Sequence, residues 1–130
     1  MDTDVILQTL EAVAERGDPM AVVYRRLFEA YPETERLFIM GPSAKGHMLD
    51  EVLNVILDFI GARTYGGQLM RCEVVNHENL GVPPDAFMAF FPIVRDGLRE
   101  VAGDTWTPEM DRAWAGLLVE LQAEFGRVPA

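Results

Sequence analysis

The sequence predicts an all-α protein, and three observations carry that reading. Between the turn-forming residues the apolar side chains recur every three or four positions, which is the helical period. No long run alternates apolar with polar residues, and no β-branched cluster is bounded by hairpin turns. Gly and Pro punctuate the chain at Gly17-Asp18-Pro19, Gly41-Pro42, Gly66-Gly67, Gly81 with Pro83-Pro84, and Gly103 with Pro108, leaving short segments and no linker between two domains. A single domain over residues 1–130 is therefore expected, and with 49% hydrophobic residues it can bury a core without a metal clip or disulfides.

The elements follow in order. A first helix is expected from about Asp4 to Arg16, with Val5, Ile6, Leu10 and Val13 on one side and Gly17 as its stop. Asp18 caps a second helix with Pro19 in its first turn, where the missing N–H costs nothing, and Met20, Val23, Tyr24, Leu27, Phe28 and Tyr31 form its inward stripe. Pro32 cannot continue that helix, so residues 32–38 read as a separate short turn delivering Leu37 and Phe38 to the core. After a loop, Ser43 caps a helix whose apolar positions Met48, Leu49, Val52, Leu53, Val55, Ile56, Phe59 and Ile60 cover more than half its circumference. So wide a face predicts contact with more than one neighbouring element. Residues 61–67 break the chain, and 68–79 form a less periodic helix ending at Gly81. Pro83-Pro84-Asp85 opens a long helix with Phe87, Phe90, Phe91, Val94, Leu98 and Val101 inward, in which Pro92 removes a donor and should cause a kink. Thr107-Pro108-Glu109 starts the last helix, which carries Met110, Trp114, Leu117, Leu118, Leu121 and Phe125.

Composition excludes several functions. Asp and Glu number 21 against 11 Lys and Arg, a formal charge of −10, so nucleic acid and anionic membrane surfaces are poor partners. A lone Cys72 cannot form an internal disulfide or a thiolate zinc site and fits a reducing compartment, with the cytoplasm as the default location. The acidic start Met1-Asp2-Thr3-Asp4 is unlike a signal peptide, and the longest apolar run, 86–94, is half a membrane span, so neither export nor membrane insertion is expected. Gly41 to Gly46 has the glycine spacing of a phosphate-binding loop, but His47 and Met48 stand where Lys and Ser or Thr must contact phosphate and magnesium. His77-Glu78 opens like a zinc-protease helix, yet Gly81 occupies the place of its second histidine. Ser43 is the only serine and has no evident His and Asp partners, which leaves hydrolase chemistry without a site.

What remains is two histidines, His47 opening one helix and His77 near the end of another, with a Phe- and Met-rich apolar set between them. A lone histidine is ordinarily a surface or hydrogen-bonded residue, and apolar stripes are ordinarily core. Two facing helices, one carrying an imidazole and both lined with apolar residues, nonetheless form the arrangement that holds a flat apolar cofactor whose iron needs one nitrogen ligand. The segment His77-Glu78-Asn79-Leu80-Gly81-Val82, followed by Phe87, then Leu98-Arg99-Glu100-Val101-Ala102-Gly103-Asp104 and Thr107-Pro108-Glu109 leading to Ala113-Trp114, has a familiar order and spacing. So does Val23-Tyr24-Arg25-Arg26-Leu27-Phe28 through Tyr31-Pro32-Glu33 to Leu37-Phe38. Together these blocks resemble the globins, specifically the globin domain of bacterial flavohaemoglobins and the related single-domain bacterial haemoglobins, over most of the chain.

The resemblance implies a helical sandwich around one b-type haem (iron protoporphyrin IX) and assigns roles residue by residue. His77 would be the proximal metal ligand through Nε2, Phe38 would press on the haem plane, and Tyr24 would donate a hydrogen bond to the bound gas. Val52, Ile56, Val82, Phe87, Phe90 and Phe91 would form the haem wall. On the distal side periodicity favours Met48 over His47, because four residues beyond Met48 is Val52 and eight beyond is Ile56, whereas four beyond His47 is Glu51. His47 would then sit beside the pocket, over a propionate, and Met48 either faces the gas or coordinates iron itself; which of the two coordinates is left open.

Departures from the family pattern bear on activity. The family's proximal relay of a tyrosine and a glutamate falls on Phe87 and Pro129, neither of which can hydrogen-bond His77, so weaker electron push and poor peroxidase or dioxygenase chemistry are expected. Glu73, one turn before His77, stands where an apolar residue is usual. No flavin or nicotinamide segment follows in this sequence, so nitric oxide turnover would draw on an external reductase. The expected function is reversible binding of a diatomic gas, oxygen or nitric oxide. A nitric oxide dioxygenase served by a separate reductase is the enzymatic competitor, and a haem-free globin-like regulatory or partner-binding module is the third reading. Pairing into a homodimer through an exposed apolar helix face is left open.

Overall fold

The computed structural model describes residues 2–38 and 42–126, and among these it forms α-helices and 3-10 turns with no strand. The helices are α1 (Thr3–Arg16), α2 (Met20–Ala30), α3 (Pro42–Ile60), α4 (Gly66–Asn79), α5 (Pro84–Ala102) and α6 (Pro108–Phe125), with 3-10 turns η1 (Pro32–Phe38) and η2 (Gly103–Thr105). The fold class read from the sequence is therefore the observed one. Among the described residues no helix is long and apolar enough to cross a membrane.

Local chemistry explains most boundaries. Asp2 caps α1 by accepting from the Val5 N–H at 3.4 Å, and the charges of Asp4 in the first turn and Arg16 in the last oppose the helix dipole. Asp18 accepts from the Met20 N–H at 2.9 Å, but α2 begins a residue later than expected, with Pro19 at the boundary. Pro32 does end the α2 path and opens η1, whose first turn is closed by Thr34 Oγ1 donating to the Tyr31 carbonyl at 2.7 Å. Leu37 departs from expectation, since it is 38% exposed rather than buried in the core, while Phe38 packs against the core. The Ser43 cap of α3 falls on a side chain outside those described. Thr107 and Met110 cap α6 reciprocally, Thr107 Oγ1 accepting from the Met110 N–H at 3.1 Å and Met110 Sδ from the Thr107 N–H at 3.4 Å. Pro92 lies within an α5 that continues to Ala102.

Helix α5 is the element on which the others are assembled. Both α1 and α2 pack along it, and α4 and α6 lie against its remaining sides. The α2–α5 crossing is close because Gly97 has no side chain: a Cβ there would meet Val23 Cγ2 at 2.6 Å and the Val23 Cα at 3.3 Å. Across α1 and α6, buried Trp114 Nε1–H donates to Thr9 Oγ1 at 2.8 Å, and the Thr9 hydroxyl donates onward to the Ile6 carbonyl at 2.6 Å. Both polar groups are thereby satisfied inside an otherwise apolar core. The wide apolar face of α3 meets several neighbours, as its pattern predicts: it packs on α2, α4 and η1, and Phe59 reaches Phe125 of α6 with ring centres 5.5 Å apart.

The α3–α4 connection is held by one carboxylate. Asp58 accepts from the Thr64 N–H at 2.9 Å, the Thr64 hydroxyl at 2.9 Å, the Gly66 N–H at 2.8 Å and the Tyr65 N–H at 3.2 Å. The Thr64 backbone bond first, and the other donors with it, hold its pKa down to about 2 against a smaller desolvation effect. The pH consequence has a definite sign. A folded-state pKa below the unfolded one contributes stability that is complete above the ordinary carboxylate range and is lost as pH falls from about 4 through about 2. Asp58→Asn should remove that part of the acid-limb dependence, read as a flatter urea-midpoint profile between these pH values.

The α2–α5 crossing gives a second expectation. Gly97→Ala should destabilise the protein by about 1–3 kcal/mol, because the added methyl meets a stiff β-branched neighbour and its backbone. Gly116→Ala, on an exposed part of α6 with no atom within 4 Å of the added Cβ, should instead stabilise by about 0.5–1 kcal/mol. Equilibrium urea unfolding of the two variants measures both signs.

Candidate functional site

A cleft of about 280 Å³ is bounded by η1, α3, α4 and the N-terminal half of α5. Its apolar wall is built from Phe38 on η1, Met48 and Val52 on α3, Met70 on α4, Val82 before α5, and Phe87, Phe90 and Phe91 on α5. Polar groups enter it sparsely, from Thr34, His47, Glu51, Glu73 and His77. A concave, mainly apolar site with a few converging polar groups is the usual form of a cofactor or ligand pocket.

His77 occupies the last turn of α4, and the helix end explains its position. The Leu80 N–H donates to the His77 carbonyl at 3.0 Å and the Val82 N–H to the same carbonyl at 2.8 Å. Gly81 then takes φ +94°, a left-handed turn that redirects the chain into Pro83-Pro84 and α5. As a result Phe87 of α5 meets the imidazole edge-on, with ring centres 5.0 Å apart. The His77 Nδ1 lies 2.8 Å from the Glu73 carbonyl, and with the proton on that nitrogen it donates there. Nε2 makes no hydrogen bond among the described residues. The Glu73 carboxylate stands 3.5 Å from the same Nδ1, with both side chains about a quarter exposed.

The structure brings most of the sequence-predicted residues to this cleft. Phe38, Met48, Val52, His77, Val82, Phe87, Phe90 and Phe91 all line it. Two do not. Ile56 is fully buried in the helical core, because the turn of α3 that carries it lies beyond the cleft. Tyr24 is buried behind the wall, its ring 5.2 Å from that of Phe38 and 6.0 Å from that of Phe90, and its hydroxyl donates to the Lys45 carbonyl at 2.7 Å. Burial first, and the nearby negative charge of Asp50 second, push the Tyr24 phenol above its ordinary acidity range, which keeps it a neutral donor. The Lys45 ammonium lies over the neighbouring Phe28 ring at 5.2 Å from its centre.

At the rim His47 is 82% exposed, with Nε2 3.5 Å from Glu51 Oε2. It stands beside the cleft, while Glu51, which helical periodicity turns away from the apolar wall, still contributes to the lining. Sequence reasoning also missed Met70, Thr34 and Leu80 as lining residues. Met70 had a usable signal, since it lies seven residues before His77 and hence on the same face of α4. Of the two positions where the family relay falls, Phe87 touches the imidazole through its ring and offers it no hydrogen bond, and Pro129 lies outside the described residues. Outside those two relay positions a carboxylate does approach His77: Glu73 reaches Nδ1 because residues four apart on a helix are neighbours.

Comparison with known proteins shows the family of the chain. The globin family model matches residues 21–125, and the chain belongs to the globin family. A flavohemoprotein of Rhizobium meliloti (strain 1021) is 25% identical over 118 residues, covering 86% of this chain and 29% of that protein. The chain thus spans less than a third of that relative's length. No solved structure matches significantly. Membership implies a haem-binding protein, and the residues of the cleft fit that group: an apolar wall with four phenylalanines, a methionine on α3, and an imidazole on α4 whose Nε2 is unengaged among the described residues. A single imidazole suits an iron whose in-plane ligands come with the porphyrin, and among the described residues no cluster of three or more His, Cys, Asp and Glu is arranged to hold a bare metal ion.

Tyr24 yields a test of its observed role. Tyr24→Phe deletes the bond to the Lys45 carbonyl while keeping the ring, and should cost about 1 kcal/mol in urea unfolding of the haem-free protein. An unchanged unfolding midpoint would contradict that bond.

Proposed function

We propose that the chain holds one b-type haem in the α3–α4–α5 cleft with His77 as its proximal ligand, and that it reversibly binds a diatomic gas, oxygen or nitric oxide. The carrying observation is the state of His77: an imidazole on an apolar wall, its Nδ1 against a backbone carbonyl, its Nε2 unengaged among the described residues. That arrangement selects the tautomer that ligates through Nε2. With His77 holding it there, the haem would supply an iron able to take a small gas.

The chain's own residues give the remainder of the site its properties. Phe87, Phe90 and Phe91 would cover the porphyrin face from α5, Phe38 would close the η1 side, and together they exclude water from the metal. Met48 and Val52 line the cleft from α3, and the Met48 thioether would offer a soft group to a ligand or to the metal. Tyr24 reaches the distal side as a donor only if its hydroxyl leaves the Lys45 carbonyl, so gas retention through Tyr24 competes with an existing hydrogen bond. His47, exposed beside Glu51 at the rim, is suited to a propionate at the solvent edge.

Haemin titration of the purified protein, followed by the visible spectrum with dithionite and carbon monoxide, tests the proposal. One haem per chain is expected, with a Soret band that shifts on carbon monoxide and is altered or lost in His77→Ala. Binding indifferent to His77 would overturn the ligand assignment, and absence of specific binding would favour the haem-free partner-binding reading.

A further inference from the structure

We propose that Glu73 is a positioning residue for His77: its carboxylate, one helical turn earlier, places negative charge at Nδ1 and makes the imidazole a stronger electron donor to the haem iron. The inference rests on the reading of the cleft as a haem site. It assigns to α4 itself a task for which Phe87 offers no hydrogen bond.

Two separate groups of Glu73 approach the same nitrogen. The backbone carbonyl at 2.8 Å is available whatever side chain residue 73 carries, because a helix aligns the carbonyl of one residue with the side chain four positions on. The carboxylate Oε2 at 3.5 Å is particular to this sequence. It lies beyond a short hydrogen bond and acts as a charge contact, in a setting where both side chains are only about a quarter exposed and screening by water is reduced. On the other side of the imidazole stands the Phe87 ring, 5.0 Å away, which has no acceptor to compete for the Nδ1 proton. An acceptor at the second nitrogen of a metal-bound imidazole fixes the ring and raises its basicity, and a charged acceptor does so more strongly than a neutral one. Glu73 belongs to the cleft lining as well, so its charge faces the bound group and not only solvent. An apolar residue at this position would pack against the same wall without that effect.

The test keeps the carbonyl and varies the side chain. Glu73→Gln retains shape and an acceptor oxygen but removes the charge; Glu73→Leu removes both; Glu78→Gln removes a charge from an exposed position on the same helix. All are made in the full chain and loaded with haemin. The readouts are the ferric/ferrous midpoint potential and the iron–histidine stretching band of the ferrous, ligand-free protein by resonance Raman. The expected result is a higher potential and a lower stretching frequency in Glu73→Gln, more so in Glu73→Leu, with a smaller shift or none in Glu78→Gln. Equal values in wild type and Glu73→Gln, or an equal shift in Glu78→Gln, would overturn the role of Glu73 while leaving His77 as ligand. A stretching band that survives His77→Ala would overturn both this inference and the ligand assignment beneath it, so the two failures are distinguishable.

Discussion

The site depends on the close crossing of α2 over α5 at Gly97. With no Cβ to hold the helices apart, Val23 seats directly on the α5 backbone, and the middle of α5 is fixed between α1 and α2. The N-terminal half of the same helix extends past that crossing, and it is this half that carries Phe87, Phe90 and Phe91 along the cleft. A rigid element is needed there. An apolar cleft exposes surface that the hydrophobic effect favours closing, so its walls must be anchored by packing elsewhere. The opposite wall, α3, is anchored by Leu49, Val52, Val55, Ile56 and Phe59 in the core, and the Asp58 carboxylate ties its end to the start of α4.

Within this frame one turn of α4 carries both Glu73 and His77. Low amphipathicity makes α4 look weak in the sequence, but its Glu73–His77 pair sets an imidazole and a carboxylate together on the cleft. The polar groups of the cleft divide by position. Glu73 and His77 form the α4 edge, whereas Glu51 and His47 form the α3 rim toward solvent. Between them the wall is apolar, which suits a flat hydrophobic group with polar substituents at its periphery.

Periodicity and punctuation revealed the helices well, because each had a local cause: Gly17, Pro32, Gly81 and the Thr107-Pro108 start act through their own backbone chemistry. The cleft wall was legible for the same reason, since Met48 and Val52, or Phe87, Phe90 and Phe91, share helix faces. What local pattern could not supply was depth along a helix. Ile56 lies on the same stripe as Met48 and Val52, yet the stripe runs from the cleft into the core. Nor could it supply partners distant in sequence, such as the Lys45 carbonyl that engages Tyr24 or the Thr9 hydroxyl that receives Trp114. Glu73 is the instructive case. Its four-residue spacing to His77 was visible, but its departure from an apolar pattern concealed the charge it brings to the imidazole.

A crystal structure of the haem-loaded protein tests the central claim most directly. The account requires electron density for one porphyrin in the cleft between α3 and α5, with His77 Nε2 bonded to iron and Nδ1 still facing the Glu73 carbonyl. Iron bonded to another residue, or a porphyrin seated outside this cleft, would contradict it.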